Sequence, residues 1–155
     1  MKIRSITYFL NPGWPLDEAK MQMAGSFLRQ AKQSFENAGY TVQTTRLATT
    51  PFSYLLGERI KETPQYAEAL ESVLSSIDVA YASLGPAHPD APASYEIIPE
   101  AIARTENVFF SGMMADRHNG ISLGSIRACA EVIVNCSPLT PDGFANLRFA
   151  ALANN

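Results

Sequence analysis

Apolar runs rich in β-branched and aromatic residues alternate along this chain with stretches whose apolar residues recur every three to four positions, and short turn-rich connections separate the two kinds. Few architectures satisfy that alternation. A helix between two strands supplies the crossover that a parallel pair needs, and such crossovers are almost always right-handed. The sequence therefore predicts an α/β fold with a mainly parallel sheet and alternating helices. Strands are expected at 2–10, 41–47, 79–84 and 107–111. The third, Val79-Ala80-Tyr81-Ala82-Ser83-Leu84, is nearly uncharged and reads as buried on both faces.

The helices are marked by spacing and by their ends. After the turn Asn11-Pro12-Gly13-Trp14-Pro15, Asp17 and Glu18 fall in a first turn, where negative charge complements the helix dipole. Ala24, Phe27, Leu28, Ala31, Phe35 and Ala38 make the apolar stripe, and Gly39 suits the position just past the end. Residues 52–62 are ambiguous, with a short helix as one reading. Thr63-Pro64 reads as an N-cap followed by a first-turn proline, and Tyr66, Ala67, Leu70, Val73, Leu74 and Ile77 form the stripe of the helix after it. A further helix is expected at about 92–104, with Pro99 in a first turn or at a kink. Another is expected at about 122–136, burying Leu123, Ile126, Cys129 and Ile133 and ending at Ser137-Pro138. The last, at 142–152, is apolar on more than one side.

At 155 residues the chain suits a single domain, long enough to bury about 68–70% of its extended surface. Hydrophobic residues at 46% against charged residues at 17% disfavour disorder. A net charge of −3 without a Lys/Arg cluster argues against nucleic acid and against a polybasic membrane contact. No apolar run is long enough to span a bilayer, and Arg4, Ser5 and Thr7 interrupt the N-terminal run, so a cytoplasmic protein is expected. Cys129 and Cys136 lie seven residues apart on one expected helix, about 10.5 Å at ~1.5 Å rise per residue. A disulfide needs Cα atoms within about 7 Å, so two reduced, buried thiols are predicted.

Chemistry concentrates between Asn107 and Ser125, where a strand gives way to a glycine-punctuated loop and then a helix. Ligands of alternating α/β proteins are met at such passages. His118 beside Asp116 suits a general base whose tautomer a carboxylate sets. Ser111, Gly112, Asn119, Gly120 and Ser122 offer hydrogen bonds, close main-chain approach and a helix start that favours an anion. Arg46 reads either as a clamp for a carboxylate or phosphate or as one half of an ion pair with a buried acid. His88, between Pro86 and Pro89, reads as a turn residue. The spacing of His88, Asp116 and His118 matches no known metal site, so no metal is assigned. Trp14 reads as a packed lid residue and Met113 and Met114 as core filling.

Ile3-Arg4-Ser5-Ile6-Thr7, the run Val42 to Thr49, the block Phe110-Ser111-Gly112 and the closing Phe144 to Ala151 together resemble the N-terminal part of the domain-of-unknown-function 711 family, also called an uncharacterised protein family. The resemblance covers nearly the whole chain. It implies a share in a larger barrel-like α/β fold resembling pyruvate formate-lyase, and a protein continuing beyond the segment seen here. It implies no reaction, because a fold does not carry one. No glycyl-radical motif is present, and Cys129 and Cys136 are not an adjacent pair.

Two functions follow as expectations. The first is binding of a small anionic metabolite at the C-terminal edge of the sheet, with Arg46 and the helix start near Ser122 holding the anion and His118 with Asp116 moving protons. Whether that amounts to enzymatic activity is left open, and the sequence identifies no cofactor. The alternative is a non-catalytic subunit or fragment that completes its fold by homo-oligomerisation or through a missing C-terminal half. The apolar helix expected at 142–152 favours this second reading.

Overall fold

The structure is a computed structural model and describes residues 1–116 and 120–153. Five strands form one parallel sheet: β1 (Lys2–Leu10), β2 (Thr41–Pro51), β3 (Tyr81–Gly85), β4 (Val108–Met113) and, after a short antiparallel pair β5 (Ala115–Asp116) and β6 (Gly120–Ile121), β7 (Phe149–Leu152). Their order across the sheet, β1-β2-β3-β4-β7, follows the chain without a reversal. The four strands expected from the sequence are all in it, and all are parallel.

The connections are α1 (Glu18–Asn37), α2 (Phe52–Leu56) with a 3₁₀ segment leading to α3 (Thr63–Ser76), then α4 (Ala93–Glu96) and α5 (Ile98–Ala103), and finally α6 (Leu123–Cys136). A sheet that always steps in one direction, with right-handed crossovers, sends every helix to the same face. Met21, Leu28, Tyr66, Leu70, Leu74, Ile98, Ile102, Cys129 and Val132 accordingly join Leu47, Ala82, Leu84, Val108 and Phe110 in one buried cluster. No helix among the described residues is long and apolar enough to cross a membrane.

Local chemistry explains most boundaries. Asp17 is the N-cap of α1 rather than a first-turn residue, its carboxylate accepting from the Lys20 N–H at 3.1 Å. That bond holds its carboxyl below the usual range. Gly39, at φ 84°, takes the left-handed turn after α1. Thr63 departs from expectation, because it lies inside α3 and its hydroxyl donates back to the Ile60 carbonyl at 2.6 Å, while Pro64 keeps its first-turn place. The expected helix at 92–104 is two short helices meeting at Ile97, just before Pro99.

Three expectations need correcting. The buried face of α1 is Met21, Ala24, Gly25 and Leu28; Phe27 and Phe35 are exposed and stack on Tyr8 and Tyr40 instead. In α6 the buried residues are Ser125, Cys129, Val132 and Cys136, so Leu123, Ile126 and Ile133 lie off the core. The third concerns residues 142–152, which are not a helix. A single 3₁₀ stretch, Phe144–Arg148, leads into β7, which pairs with β4 from Phe110↔Phe149 to Met113↔Leu152. Gly143 at φ 71° turns the chain, and Arg148 anchors it by donating to the carbonyls of Ile102 and Thr105 at the end of α5. An edge strand pinned at its start outweighs the helix propensity of Ala150 and Ala151.

Candidate functional site on the uncovered sheet face

Alternation along each strand gives the sheet two unlike faces. Ala82 and Leu84 in β3 are buried under the helices, whereas Tyr81 and Ser83 between them are half-buried on the other side. The strand is therefore not covered on both faces, as its composition predicts. In β2, Leu47 points to the helices and Arg46 to the open side; in β4, Phe110 and Ser111 divide likewise.

Arg46 sits mid-strand, level with Thr7 on one side and Tyr81 on the other. This neighbour relation places its guanidinium carbon 4.8 Å from the centre of the Tyr81 ring, a cation–π distance, and Tyr81 meets Phe109 of the next strand at 5.1 Å. Arg4, Arg46, Ser83 and Ser111 line a concavity of about 460 Å³, which Leu147, Ala150 and Leu152 close toward β7. That volume is within the usual range for small-ligand sites, about 300–1,000 Å³. Among the described residues no carboxylate lines it.

The Arg46 Nε is fully buried and has no hydrogen-bond partner among the described residues. Such a donor costs free energy until an acceptor reaches it. Of the two readings of Arg46, the ion pair with a buried acid finds no such partner among the described residues. Arg148, also on the concavity wall, is committed to Thr105 and Ile102, and burial draws its pKa below the ordinary arginine value.

The remaining expected residues fall elsewhere. Gly112 belongs to the helix side: a Cβ there would come within 2.8 Å of the Tyr95 ring and 2.9 Å of Cys129 Sγ, so it lets α4 and α6 approach β4. Tyr95 completes that contact by donating to the Met113 carbonyl at 2.6 Å, and burial raises its pKa. Ser122 is the N-cap of α6, its hydroxyl accepting from the Ser125 N–H at 3.2 Å and sharing a 2.9 Å bond with the Ser125 hydroxyl. It lines a small cleft of about 180 Å³ with Pro89, Pro92 and Tyr95. Gly120 turns the β5–β6 pair at φ 67°, and the backbone of Asp116 lies in β5. His118 and Asn119 lie outside the described residues.

At the C-terminal rim, a pairing that the sequence reading missed joins α2 to the loop after β3. The Tyr54 hydroxyl lies 3.0 Å from His88 Nδ1, their rings stack at 4.6 Å between centres, and Asp90 accepts from the same hydroxyl at 3.5 Å. Trp14 is packed as expected, edge-on to Tyr66 at 5.4 Å with its indole N–H donating to Glu62 at 2.5 Å. Met113 is buried and Met114 packs on the core.

Arg4, Tyr81 and Phe109 also escaped the sequence reading. The alternation of Tyr81 and Ser83 with Ala82 and Leu84 is the signal that exposes a two-faced strand. Their convergence on Arg46 depends on register, which one strand alone does not carry.

Comparison with known proteins adds a family and no activity. The chain is similar to a UPF0210 protein of Methanopyrus kandleri, 26% identical over 148 residues, spanning 88% of this chain and 33% of that protein. It thus covers about a third of the length of the relative. The pattern of the family described as Uncharacterised ACR (DUF711) matches residues 1–155, from end to end, and the chain belongs to that family.

Proposed function

We propose that the protein binds a small anionic ligand on the uncovered face of its sheet, with Arg46 as the principal contact. The observation that carries this reading is the buried Nε of Arg46, which has no hydrogen-bond partner among the described residues, in a concavity that no described carboxylate lines. A carboxylate or phosphate oxygen there gains a charge-assisted hydrogen bond that the free protein lacks. Arg4 adds a second positive charge, Ser83 and Ser111 offer hydroxyls, and the Tyr81 and Phe109 rings supply an apolar floor. Compared with the sequence expectation, the anion moves from the loops at the strand ends to the middle of the sheet. His118 and Asp116 keep their proposed role in moving protons.

Calorimetric titration with inorganic phosphate and with acetate tests the reading. Saturable binding is expected, and Arg46→Ala should weaken it by about 1.5–3 kcal/mol as one charge-assisted bond is lost. Arg46→Lys should restore only part, because an ammonium lacks the guanidinium fork. Equal affinity in wild type and Arg46→Ala, or no saturable binding of either anion, overturns it.

A further inference from the structure

Past the ends of β2 and β3, two connections bring a phenol, an imidazole and a carboxylate together. The segment Gly85-Pro86-Ala87-His88-Pro89-Asp90 stays tied to β4 after β3 has ended: Ala87 bridges to Gly112, its N–H donating to the Ser111 carbonyl at 2.8 Å and its carbonyl accepting from the Met113 N–H at 3.0 Å. His88 therefore follows a fixed backbone. Its own carbonyl accepts from the Ala91 N–H at 2.9 Å, which closes a turn over Pro89 and Asp90. Tyr54 arrives on α2, whose Phe52, Ser53 and Leu56 are buried while Tyr54 itself is 56% exposed. Polar groups held on packed backbone yet open to solvent suit a site that meets a ligand, and in α/β folds ligands are met beyond the carboxyl ends of the strands.

The phenol hydroxyl has one proton to give and two neighbours to receive it, His88 Nδ1 at 3.0 Å and an Asp90 carboxylate oxygen at 3.5 Å. A carboxylate only accepts, so a proton given to Asp90 leaves the hydroxyl as an acceptor toward His88. Charge favours that choice, because a hydrogen bond to an ionised acceptor is stronger than a neutral one. Nδ1 must then carry the imidazole proton, and Nε2 keeps a bare lone pair. Stacking of the two rings, 4.6 Å between centres, holds the imidazole in place. A histidine whose Nδ1–H is held by a partner has the form of a general base.

We propose that Tyr54, His88 and Asp90 form a general-base site at the C-terminal rim, acting on water or on the hydroxyl of a small ligand. In the step, the O–H bond breaks, its electron pair stays on the oxygen, and the proton lands on His88 Nε2. The imidazolium keeps its Nδ1–H on the Tyr54 oxygen, whose own proton rests on the Asp90 charge. His88 is the group that meets the ligand, and Tyr54 and Asp90 are positioning residues. The site stands apart from the anion-binding reading, since Arg46 lies mid-strand and these residues follow the strand ends.

Nitrogen NMR of the imidazoles in the full chain tests the assignment, at a pH basic enough to keep histidine neutral; the chain has two histidines, and His88→Gln identifies the signals. The Nδ1–H form of His88 is expected. Tyr54→Phe keeps the stacked ring but loses the hydroxyl, and Asp90→Ala frees the hydroxyl to donate to Nδ1, so each should move His88 to the Nε2–H form. Hydrolysis of ethyl dichloroacetate gives the functional readout, because ethoxide leaves too poorly for a ring nitrogen to displace it and catalysis then reports proton removal from water. His88→Gln should abolish the catalysed rate, and Tyr54→Phe should lower it roughly threefold or more, the factor that one net hydrogen bond is worth. The wild-type rate should also fall in deuterium oxide. Both positioning residues are exposed, melting checks that each variant folds, and Asp90→Ala decides alone if Tyr54→Phe does not. An Nε2–H form in the wild type, a tautomer that neither variant moves, or hydrolysis equal in wild type and His88→Gln overturns the proposal.

Discussion

Arg46 and Leu47 are consecutive in β2, yet they belong to different regions of the molecule. Leu47 is sealed between sheet and helices, within the buried apolar cluster. Arg46 stands on the open face, among an aromatic ring, hydroxyls and a second arginine. The contrast extends across the sheet: one face carries the apolar packing under the helices, and the other carries polar and aromatic side chains around a concavity. A strand can serve both purposes because its side chains alternate.

The largest test of that division compares truncations on the two faces. Leu47→Ala should cost about 2–5 kcal/mol in a urea unfolding titration, because it removes buried methyl groups and leaves a cavity the helices cannot fully fill. Ser83→Ala, on the open face, should stay within about 0.5 kcal/mol. Comparable losses at both positions would mean that the open face is structural too, and would break the comparison.

A smaller effect sharpens it. Gly112 and Ser111 are neighbours in β4, and Gly112 is the point where Tyr95 and Cys129 press closest to the strand. Adding one methyl there should cost about 1–3 kcal/mol through overpacking. Ser111→Ala should be nearly silent in stability. A Gly112→Ala variant as stable as wild type would show that the helix layer yields, contrary to the close packing seen.

Much of this fold was legible because its signals are local. Parallel pairing followed from helices lying between strands, and the close of α1 followed from Gly39. What failed was non-local. Phe149-Ala150-Ala151-Leu152 is a strand only because β4 offers an edge and Arg148 fastens the preceding turn to α5. The inward face of α6 was misplaced, apart from Cys129, because Leu123, Ile126 and Ile133 are more apolar than the Ser125 actually buried; hydrophobicity marked the flank as readily as the core. The candidate site was legible in Arg46 and Ser111 and illegible in the rest of its company. Arg4, Tyr81 and Phe109 join them from β1, β3 and β4, and only register brings them together.

The two cysteines give the finest test, since both lie under the helix-covered face and, as the sequence predicts, are unpaired and buried. Burial pushes the Cys129 thiol up to about 11 and raises that of Cys136, with Arg148 pulling the latter partly back. A raised thiol pKa means that the folded state keeps a proton the unfolded state gives up. Below the ordinary thiol value, near 9, both states are protonated and pH has no effect through this group. Above it the unfolded chain releases the proton first, so stability should fall as pH rises from about 9 toward 11. Lysines and tyrosines titrate in the same window, so the comparison must be with Cys129→Ala, whose melting temperature should decline less steeply over that range. A thiol reagent at pH 8 should modify the native protein far more slowly than the urea-unfolded chain, because the nucleophile is the thiolate and the covered face both neutralises and hides it. Parallel pH slopes in wild type and Cys129→Ala, together with rapid native labelling, would show that the helix layer opens easily, and the difference between the two faces would shrink to one of composition.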